Sequence, residues 1–579
     1  MMRKTVQHTI LVLILVMISL PLVQMRFRLV KEKQLFGAFI PAEKPNFTRN
    51  NWNSGAYQEQ VENYLKDHLG FRNFLVRLQN QIDFSLFRKA NAEGAIVGKS
   101  GQLYEYDYIR AWLAIDYPGD AFVTQKLNRT RYVQEYLKRE KGIDLVVVFE
   151  PGKASYYPEF IPDRFARQKT SPSTYEIFIR KARDIGVDFI DLQAYFMQLK
   201  PDAKFPLFPR HGTHWSVYGS KFAADSLVPF IENRRNITMP KYRSDSLVVS
   251  SQPWDSDDDV LKTMNLLCPL KGEKLAYPVF VFDTLSGGDR PMVLPVADSY
   301  YWNIFNTRMP AYLFANETYW YFNSLVYPDF YYRPVYTADL DLQEETEKQD
   351  IIFLMVTERF LYRFDWTFID RLYALYTPDW LKDPVYDNIN AIMRNDEWFD
   401  GIIEKAQHKE ISLEAALQEE GRYMIYNNNR AEFMIRYGPE HFKRIISQDP
   451  GWMGHIREKA AGQGIPVEEM LQKDALYVFQ QEYPVLYKMN RDIEELKERI
   501  SAGDSILLKA AQYRFDPGVF TDIAAARIYR EEEIARISHV IRSDPAWLEH
   551  VSRKAEEKNI SLEEMIRLDA AYVFEERLR

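Results

Sequence analysis

Cysteine is almost absent: Cys268 is the only one in 579 residues. A single thiol excludes an intrachain disulfide framework and any zinc-finger spacing, so an oxidising compartment is tolerated but not exploited. Excess positive charge is also missing. Asp and Glu number 82 against 74 Lys and Arg, and the net charge of −8 is spread along the chain, which argues against a nucleic-acid surface. Near the N-terminus no small-residue cleavage site of the A-x-A kind follows the apolar run, and no cysteine stands where a lipid could be attached. Aromatic residues are abundant, with 37 Tyr, 36 Phe and 11 Trp. Such side chains fill cores and interfaces, and they also stack on sugar rings. The apolar share of 46% supports real cores in two to four domains.

The apolar run from Ile10 to Val23, preceded by Arg3 and Lys4, reads as a membrane-targeting segment. We assign residues 1–26 to an N-terminal membrane anchor or signal, with a retained anchor preferred. The positive flank then stays in the cytoplasm and the rest of the chain lies across the membrane. Residues 27–95 form a helical lead-in. The stretch "AIVGKSGQLYEYD" predicts a hairpin. From residue 96 to 367, helical segments alternate with "IDLVVVF" (143–149), "VDFIDL", "YPVFVFD" (277–283), "MVLPVADSYYWNIF" (292–305), "MPAYLFAN" (309–316) and "QDIIFLMVTERFLYRF" (349–364), each with a short apolar run, which predicts an α/β sheet flanked by helices. Open α/β sheets bind ligands at the carboxyl ends of their strands. Chemistry is therefore expected after Phe149, Val296 and Val356.

Residues 368–579 predict an all-α region that repeats itself at about 385–429, 441–485 and 534–579. Trp398, Trp452 and Trp547 each precede a Lys-Ala pair by seven residues, an Ile by thirteen and a Tyr by twenty-five. Asn395, Asp449 and Asp544 are suited to cap the first helix of each unit, and Ser561 with Glu564 has the spacing of a capping box. The expected unit is a helical hairpin with Met565, Leu568 and Tyr572 facing inward and each tryptophan buried. The α/β domain is expected to fold without this region.

Ser299, in "ADSYYWNIF", stands directly after a strand, where a serine is exposed at the top of the sheet with helix N–H groups behind it. His214, in "FPRHGTHWSVYGS", is a base for such a hydroxyl. Trp215 can pack its loop down, and Ser216 can cap the helix that follows.

The segments "VGKSGQLYEYD", "VVVFEPGKASYYPEFIP", "GTHWSVYG", "VADSYYWNIF" and "DIIFLMVTERFL" occur in the order and spacing of the SGNH-hydrolase-like domain of the AlgJ/AlgX-like alginate O-acetyltransferases, which residues 50–367 resemble. The resemblance implies a periplasmic enzyme, held at the inner membrane by its N-terminal segment. Such an enzyme transfers acetyl to hydroxyls of an exported polysaccharide and is supplied by a membrane-bound O-acyltransferase. It implies no cofactor and no metal. By resemblance Ser299 is the nucleophile and His214 the base, and Lys153, Trp215 and Tyr300 are candidates to contact the acceptor. The family pattern D-x-H-W is broken, because Gly212 stands where its aspartate would be. His211, Asp191 and Asp298 are the candidate substitutes for orienting the imidazole. A polysaccharide-binding or assembly scaffold, and a carbohydrate acetyl esterase, are the alternative readings.

Overall fold

The computed structural model describes residues 2–37, 40–268, 270–283, 287–501 and 504–578, so the outer limits of the expected first and last segments, Met1 and Arg579, lie outside the described residues. The first helix, Met2–Phe27, contains a stretch, Thr5–Phe27, long and apolar enough to cross a membrane. Helices Arg49–Ser54, Ala56–His68 and Arg72–Phe87 make up the lead-in. A short antiparallel hairpin follows, β1 (Ala95–Val97) with β2 (Leu103–Glu105).

The central sheet has six strands in the order β4 (Phe189–Asp191), β3 (Asp144–Glu150), β10 (Ile351–Thr357), β7 (Val293–Ala297), β8 (Tyr319–Tyr321) and β9 (Leu325–Tyr327). All neighbours are parallel except β8 and β9. Strands β3 and β10 are buried along their whole length because both faces are covered. Leu145, Val147 and Phe149 enter the core under helices Asp120–Tyr136 and Thr174–Ile185. Val146 and Val148 point the other way, toward helices Leu192–Leu199 and Val217–Arg235. This is the α/β sheet flanked by helices that the alternation of segments predicts, and its SGNH-hydrolase-like form is what the resemblance implies. In register, Thr357 lies beside Glu150 and Met355 beside Ala297, so the carboxyl ends of β3, β10 and β7 open on one edge.

Two expected strands of this sheet fall elsewhere. Residues 277–283 belong largely to β6 (Leu275–Phe282), which pairs with β5 (Tyr242–Ser250) in a separate two-stranded ribbon. Beyond Tyr277 its side chains alternate, with Val279 and Val281 exposed, which suits a half-covered ribbon rather than a buried parallel strand. Residues 309–316 contain the helix Met309–Leu313, because Pro310 fits a first helical turn and cannot donate within a ladder. The hairpin β8–β9 takes the sheet edge instead.

The C-terminal repeats hold three helices each, one more than expected. The first unit is Pro384–Met393, Asp396–His408 and Leu413–Asn428. The second is Arg430–Gln448, Pro450–Gln463 and Val467–Glu482. The third is Pro517–Ser543, Pro545–Lys558 and Leu562–Glu576. Asn395, Asp449 and Asp544 accept the backbone N–H of Trp398, Trp452 and Trp547. The tryptophans are not fully buried. Trp398 is 37% exposed and the other two are half-buried. Each sits at the rim of its unit, where an ion pair joins the two later helices at the same repeat position: Lys405–Glu420, Lys459–Asp474 and Lys554–Asp569. Of the expected inward stripe only Met565 is buried, while Leu568 and Tyr572 face solvent.

One hydrophobic core runs from the sheet into the repeats, across the boundary expected at residue 367. Tyr362 stacks on Phe399 at 4.5 Å, and Phe122 stacks on Tyr386 at 4.8 Å. Lys126 is buried with its ammonium on Asp365, Asp370 and Asn390, and the Arg129 guanidinium lies 3.8 Å above the Tyr386 ring. A chain ending near residue 384 uncovers this buried charge cluster. It is expected to lose the cooperative melting transition of the α/β part, whereas a chain ending near residue 429 keeps it. Circular dichroism melts of the two chains check this.

Candidate active site

Ser299 opens a tight turn directly after β7, with Asp298 as its cap. Asp298 is fully buried. Its Oδ1 accepts from the Tyr300 N–H at 2.9 Å, and its Oδ2 accepts from the N–H and hydroxyl of Thr357, at 2.9 and 2.7 Å, at the end of neighbouring β10. The Tyr319 hydroxyl donates to the Asp298 carbonyl. These bonds, from the turn itself and from two neighbouring strands, fix the turn that presents Ser299. Glu150, at the end of β3, is buried beside Asp298, and burial together with that neighbouring charge pushes its pKa well above the carboxylate range. Burial and the neighbouring carboxylate both favour the neutral form of Glu150 over a second buried charge beneath the serine.

His214 reaches this turn from a loop before the helix Val217–Arg235, which Ser216 caps through the Gly219 N–H at 3.0 Å. Its Nε2 lies 2.8 Å from Ser299 Oγ, and its Nδ1 lies 2.6 Å from Asp259 Oδ2. Asp259 opens the short helix Asp259–Thr263, and its other oxygen accepts the Thr213 N–H at 2.9 Å and the Val260 N–H at 2.7 Å. Burial opposes charging of the His214 ring. The Asp259 hydrogen bond and charge, with Glu105 and Asp298 further away, outweigh it and raise the pKa.

Asp259 is thus the carboxylate on the imidazole, in place of all three substitutes suggested by sequence. Asp298 is consumed by Tyr300 and Thr357. Asp191 caps the helix Leu192–Leu199 through Ala194 N–H at 2.9 Å and accepts the Tyr175 hydroxyl at 2.5 Å. His211 is buried, and desolvation together with the charges of Lys153 and Arg210 brings its pKa down to about 4, so its ring is neutral. Its backbone carbonyl does contribute, because it accepts the Leu261 N–H at 3.1 Å and so ties the Asp259 helix to the histidine loop. Gly212 has a reason of its own: a Cβ there would stand 2.8 Å from the carbonyl oxygens of Ser256 and Asp257. The segment that brings Asp259 occupies the space a side chain at 212 would need.

The three candidates for acceptor contact are buried. Lys153 has no exposure, and its ammonium donates to the carbonyls of Leu103, Pro209, Arg210 and Gly212 at 2.7, 2.7, 3.1 and 2.6 Å. Desolvation lowers its pKa to about 7. It stitches the histidine loop to β2. Trp215 donates from its indole to the Tyr300 carbonyl at 3.1 Å, and the Tyr300 hydroxyl donates to the Thr213 carbonyl at 2.9 Å. Both brace the loop and the turn against each other.

A cavity of ≈ 1070 Å³ opens at the same sheet edge, with Phe322, Arg359, Trp366, Arg371 and Arg394 in its wall. Arg359 bonds Glu105 and Asp107, and Glu105 accepts the Thr213 hydroxyl at 3.3 Å. Arg359 in the cavity wall is therefore linked to the histidine loop through Glu105.

A serine, an imidazole and a carboxylate in hydrogen-bonded series at the carboxyl edge of such a sheet define an SGNH-hydrolase-like site. Residues 96–270 match the family model for the SGNH hydrolase-like domain of acetyltransferase AlgX, and this part of the chain is similar to such a domain. Among solved structures, the O-acetyltransferase domain of Pseudomonas putida AlgJ overlaps 48% of this chain and 98% of its own, at 19% identity and a TM-score of 0.34. Pseudomonas aeruginosa AlgX overlaps 48% of this chain and 67% of its own, at 15% identity and a TM-score of 0.31. Bacillus cereus PatB1 with a sulfonyl adduct overlaps 42% of this chain and 93% of its own, at 11% identity and a TM-score of 0.30. No curated protein matches the chain in sequence.

The contact at Gly212 makes a specific prediction. Gly212→Ala is expected to push the 256–259 segment outward and to slow acylation of Ser299 by an activated acetyl ester by about 10²-fold. An unchanged rate would mean that the segment yields without moving Asp259.

Proposed function

We propose that the chain is a periplasmic O-acetyltransferase that passes acetyl through Ser299 to a hydroxyl of an exported polysaccharide. The observation that carries this reading is the series Asp259–His214–Ser299, with spacings of 2.6 and 2.8 Å, at the carboxyl edge of the sheet. Neutral His214 takes the hydroxyl proton as Ser299 Oγ attacks the acetyl carbonyl, then passes that proton to the leaving group. A sugar hydroxyl next attacks the acetyl-serine, giving its proton to His214, which returns it to Ser299 Oγ as the acyl–oxygen bond breaks. Asp259 keeps the Nδ1 proton in place and stabilises the imidazolium at each stage. The Tyr300 N–H is committed to Asp298, so the oxyanion donor nearest the nucleophile is the Ser299 N–H.

The helix Met2–Phe27 supports anchoring at the inner membrane, with Arg3 and Lys4 on the cytoplasmic side. A membrane-bound O-acyltransferase fits as the donor system, because an enzyme outside the cytoplasm needs its acetyl delivered across the bilayer. The cavity beside the histidine loop, with arginines and aromatic rings in its wall, suits a sugar chain as acceptor. The scaffold alternative drew its force from Gly212, and a carboxylate 2.6 Å from His214 removes that motive.

Ser299→Ala is expected to abolish covalent acetylation of the purified chain by an activated acetyl ester, detected by intact-mass measurement. Equal labelling of the two proteins would sink the assignment. Transfer to an oligosaccharide is expected to exceed release of free acetate, and the reverse would mark an esterase. Asp259→Asn should cost about 10⁴ in turnover. His214 accepts a proton only when neutral, and its pKa is raised, so the rate should fall as pH drops through a value above that of free imidazole. Removing the Asp259 charge should move that limb to lower pH.

A further inference from the structure

We propose that the membrane-proximal stem, residues 28–36, together with the helix Arg72–Phe87, is a positioning element of the active site that holds the segment delivering Asp259 to His214. The inference rests on Asp259 acting as the carboxylate of the site. A carboxylate within the histidine's own turn is oriented by local backbone, but Asp259 lies 45 residues away. It sits on a helix of five residues, too short to be stable alone. That helix needs a support behind it, and the lead-in supplies one.

The ties are polar and specific. Arg77 donates to the Gln34 carbonyl at 2.8 Å and to the Leu266 carbonyl at 3.3 Å. Asn80 donates to the Met264 carbonyl at 2.9 Å. Asn265 exchanges two bonds with the backbone of Phe36, at 2.8 and 3.0 Å. Glu32 accepts the N–H groups of Phe71 and Asn73, which joins the stem to the helix Arg72–Phe87. Gln24, at the end of the apolar helix, exchanges two bonds with Val30, and Gly70 lies so close to Pro21 and Gln24 that a Cβ there has no room. A continuous chain of contacts thus runs from the end of the apolar helix to Met264, Asn265 and Leu266, which directly follow the helix that Asp259 opens.

Close packing does part of this work, because Phe84 of the helix Arg72–Phe87 shares a small buried cluster with Val260, Met264 and Leu266, but on the side of the stem the packing is open. A cleft of ≈ 760 Å³ separates the stem from the Asp259 helix, with Phe36, Phe71, Phe74, Leu261 and Leu266 in its wall. Hydrogen bonds across and around a cleft are the contacts whose loss would let the helix shift, and a shift of about 1 Å at a catalytic group can cost roughly 10²-fold in rate.

The test uses the full chain in detergent with p-nitrophenyl acetate as donor, comparing Arg77→Met, Asn80→Ala and the conservative Arg77→Lys. We expect kcat to fall about 10- to 100-fold for Arg77→Met with KM unchanged, and Arg77→Lys to recover part of the loss. The acidic limb of the pH–rate profile should shift downward, because His214 faces Asp259, Glu105 and Asp298 and would lose the strongest of these. In an Asp259→Asn background the same substitutions should cost nothing further. The inference is overturned if the variants keep the wild-type kcat and limb, or if their cost is as large in that background. Melting temperature is followed in parallel, and Asn80→Ala carries the comparison should Arg77→Met fail to fold. Absence of Ser299-dependent acetylation in the unaltered chain would instead defeat the acyltransferase reading on which this one stands.

Discussion

The hydrogen bond between Asp259 and His214 joins parts of the chain that share little else. It closes the segment of residues 256–259 onto the histidine loop, and that loop is in turn held from below by the Lys153 ammonium and from the side by Trp215 and Tyr300. Each of these side chains uses backbone carbonyls as partners. A backbone carbonyl is available whatever the local side chains are, so such bonds fix a loop's path rather than its chemistry. What remains variable is the carboxylate, and in this chain the space beside the histidine is filled by the carbonyls of Ser256 and Asp257 while the acid arrives next to them.

The nucleophile turn follows a different logic. Asp298 directly precedes Ser299, and an adjacent Asp-Ser pair invites the thought that the acid serves the chemistry. Its four incoming bonds come instead from Tyr300, from Thr357 twice and from Tyr319, all of them structural. A buried carboxylate satisfied in this way costs little and anchors the end of β7 to β10 and β8. A second buried charge on Glu150 beside it is costly, which is why burial and the Asp298 charge push the Glu150 pKa upward.

Much of the fold was legible because burial writes itself into local pattern. The continuous apolar runs of β3 and β10, the caps at Ser216, Asn395, Asp449 and Asp544, and the threefold tryptophan spacing all depend on neighbours close in sequence. Ser299 and His214 stood out for the same reason, each lying where a strand or a helix begins or ends. Asp259 did not, because its partner is 45 residues distant and the run "DSDDD" at 255–259 resembles a solvated acidic loop. Two signals pointed toward it: the vacancy left by Gly212, and an acidic cluster lying between the histidine and the serine in sequence. The strand expected at 309–316 failed because Pro310 was given less weight than the apolar run around it. The inward placement of Tyr572 failed because a helix in a stacked repeat buries only the stripe facing its neighbours, and the sequence does not say which neighbours those are.

The buried cluster of Lys126, Arg129, Asp365 and Asp370 sits where the sheet's outer helices meet the first repeat, and Tyr386 and Asn390 of that repeat complete it. Charges taken out of water gain little net stability even when well paired, because desolvation offsets the attraction. Their geometric demand is stricter than that of an apolar contact, since a displaced aspartate leaves an unpaired ammonium in the interior. The cluster therefore acts on register. It fixes how helix Pro384–Met393 lies against helix Asp120–Tyr136, and through the Tyr362–Phe399 stack and the Arg110–Asp400 pair it also fixes the next helix, Asp396–His408. Arg110, Arg394, Asp396 and Asp400 from this junction line the cavity beside the histidine loop. The repeats thus begin as a wall of that cavity, and its shape depends on residues far outside the matched segment 96–270.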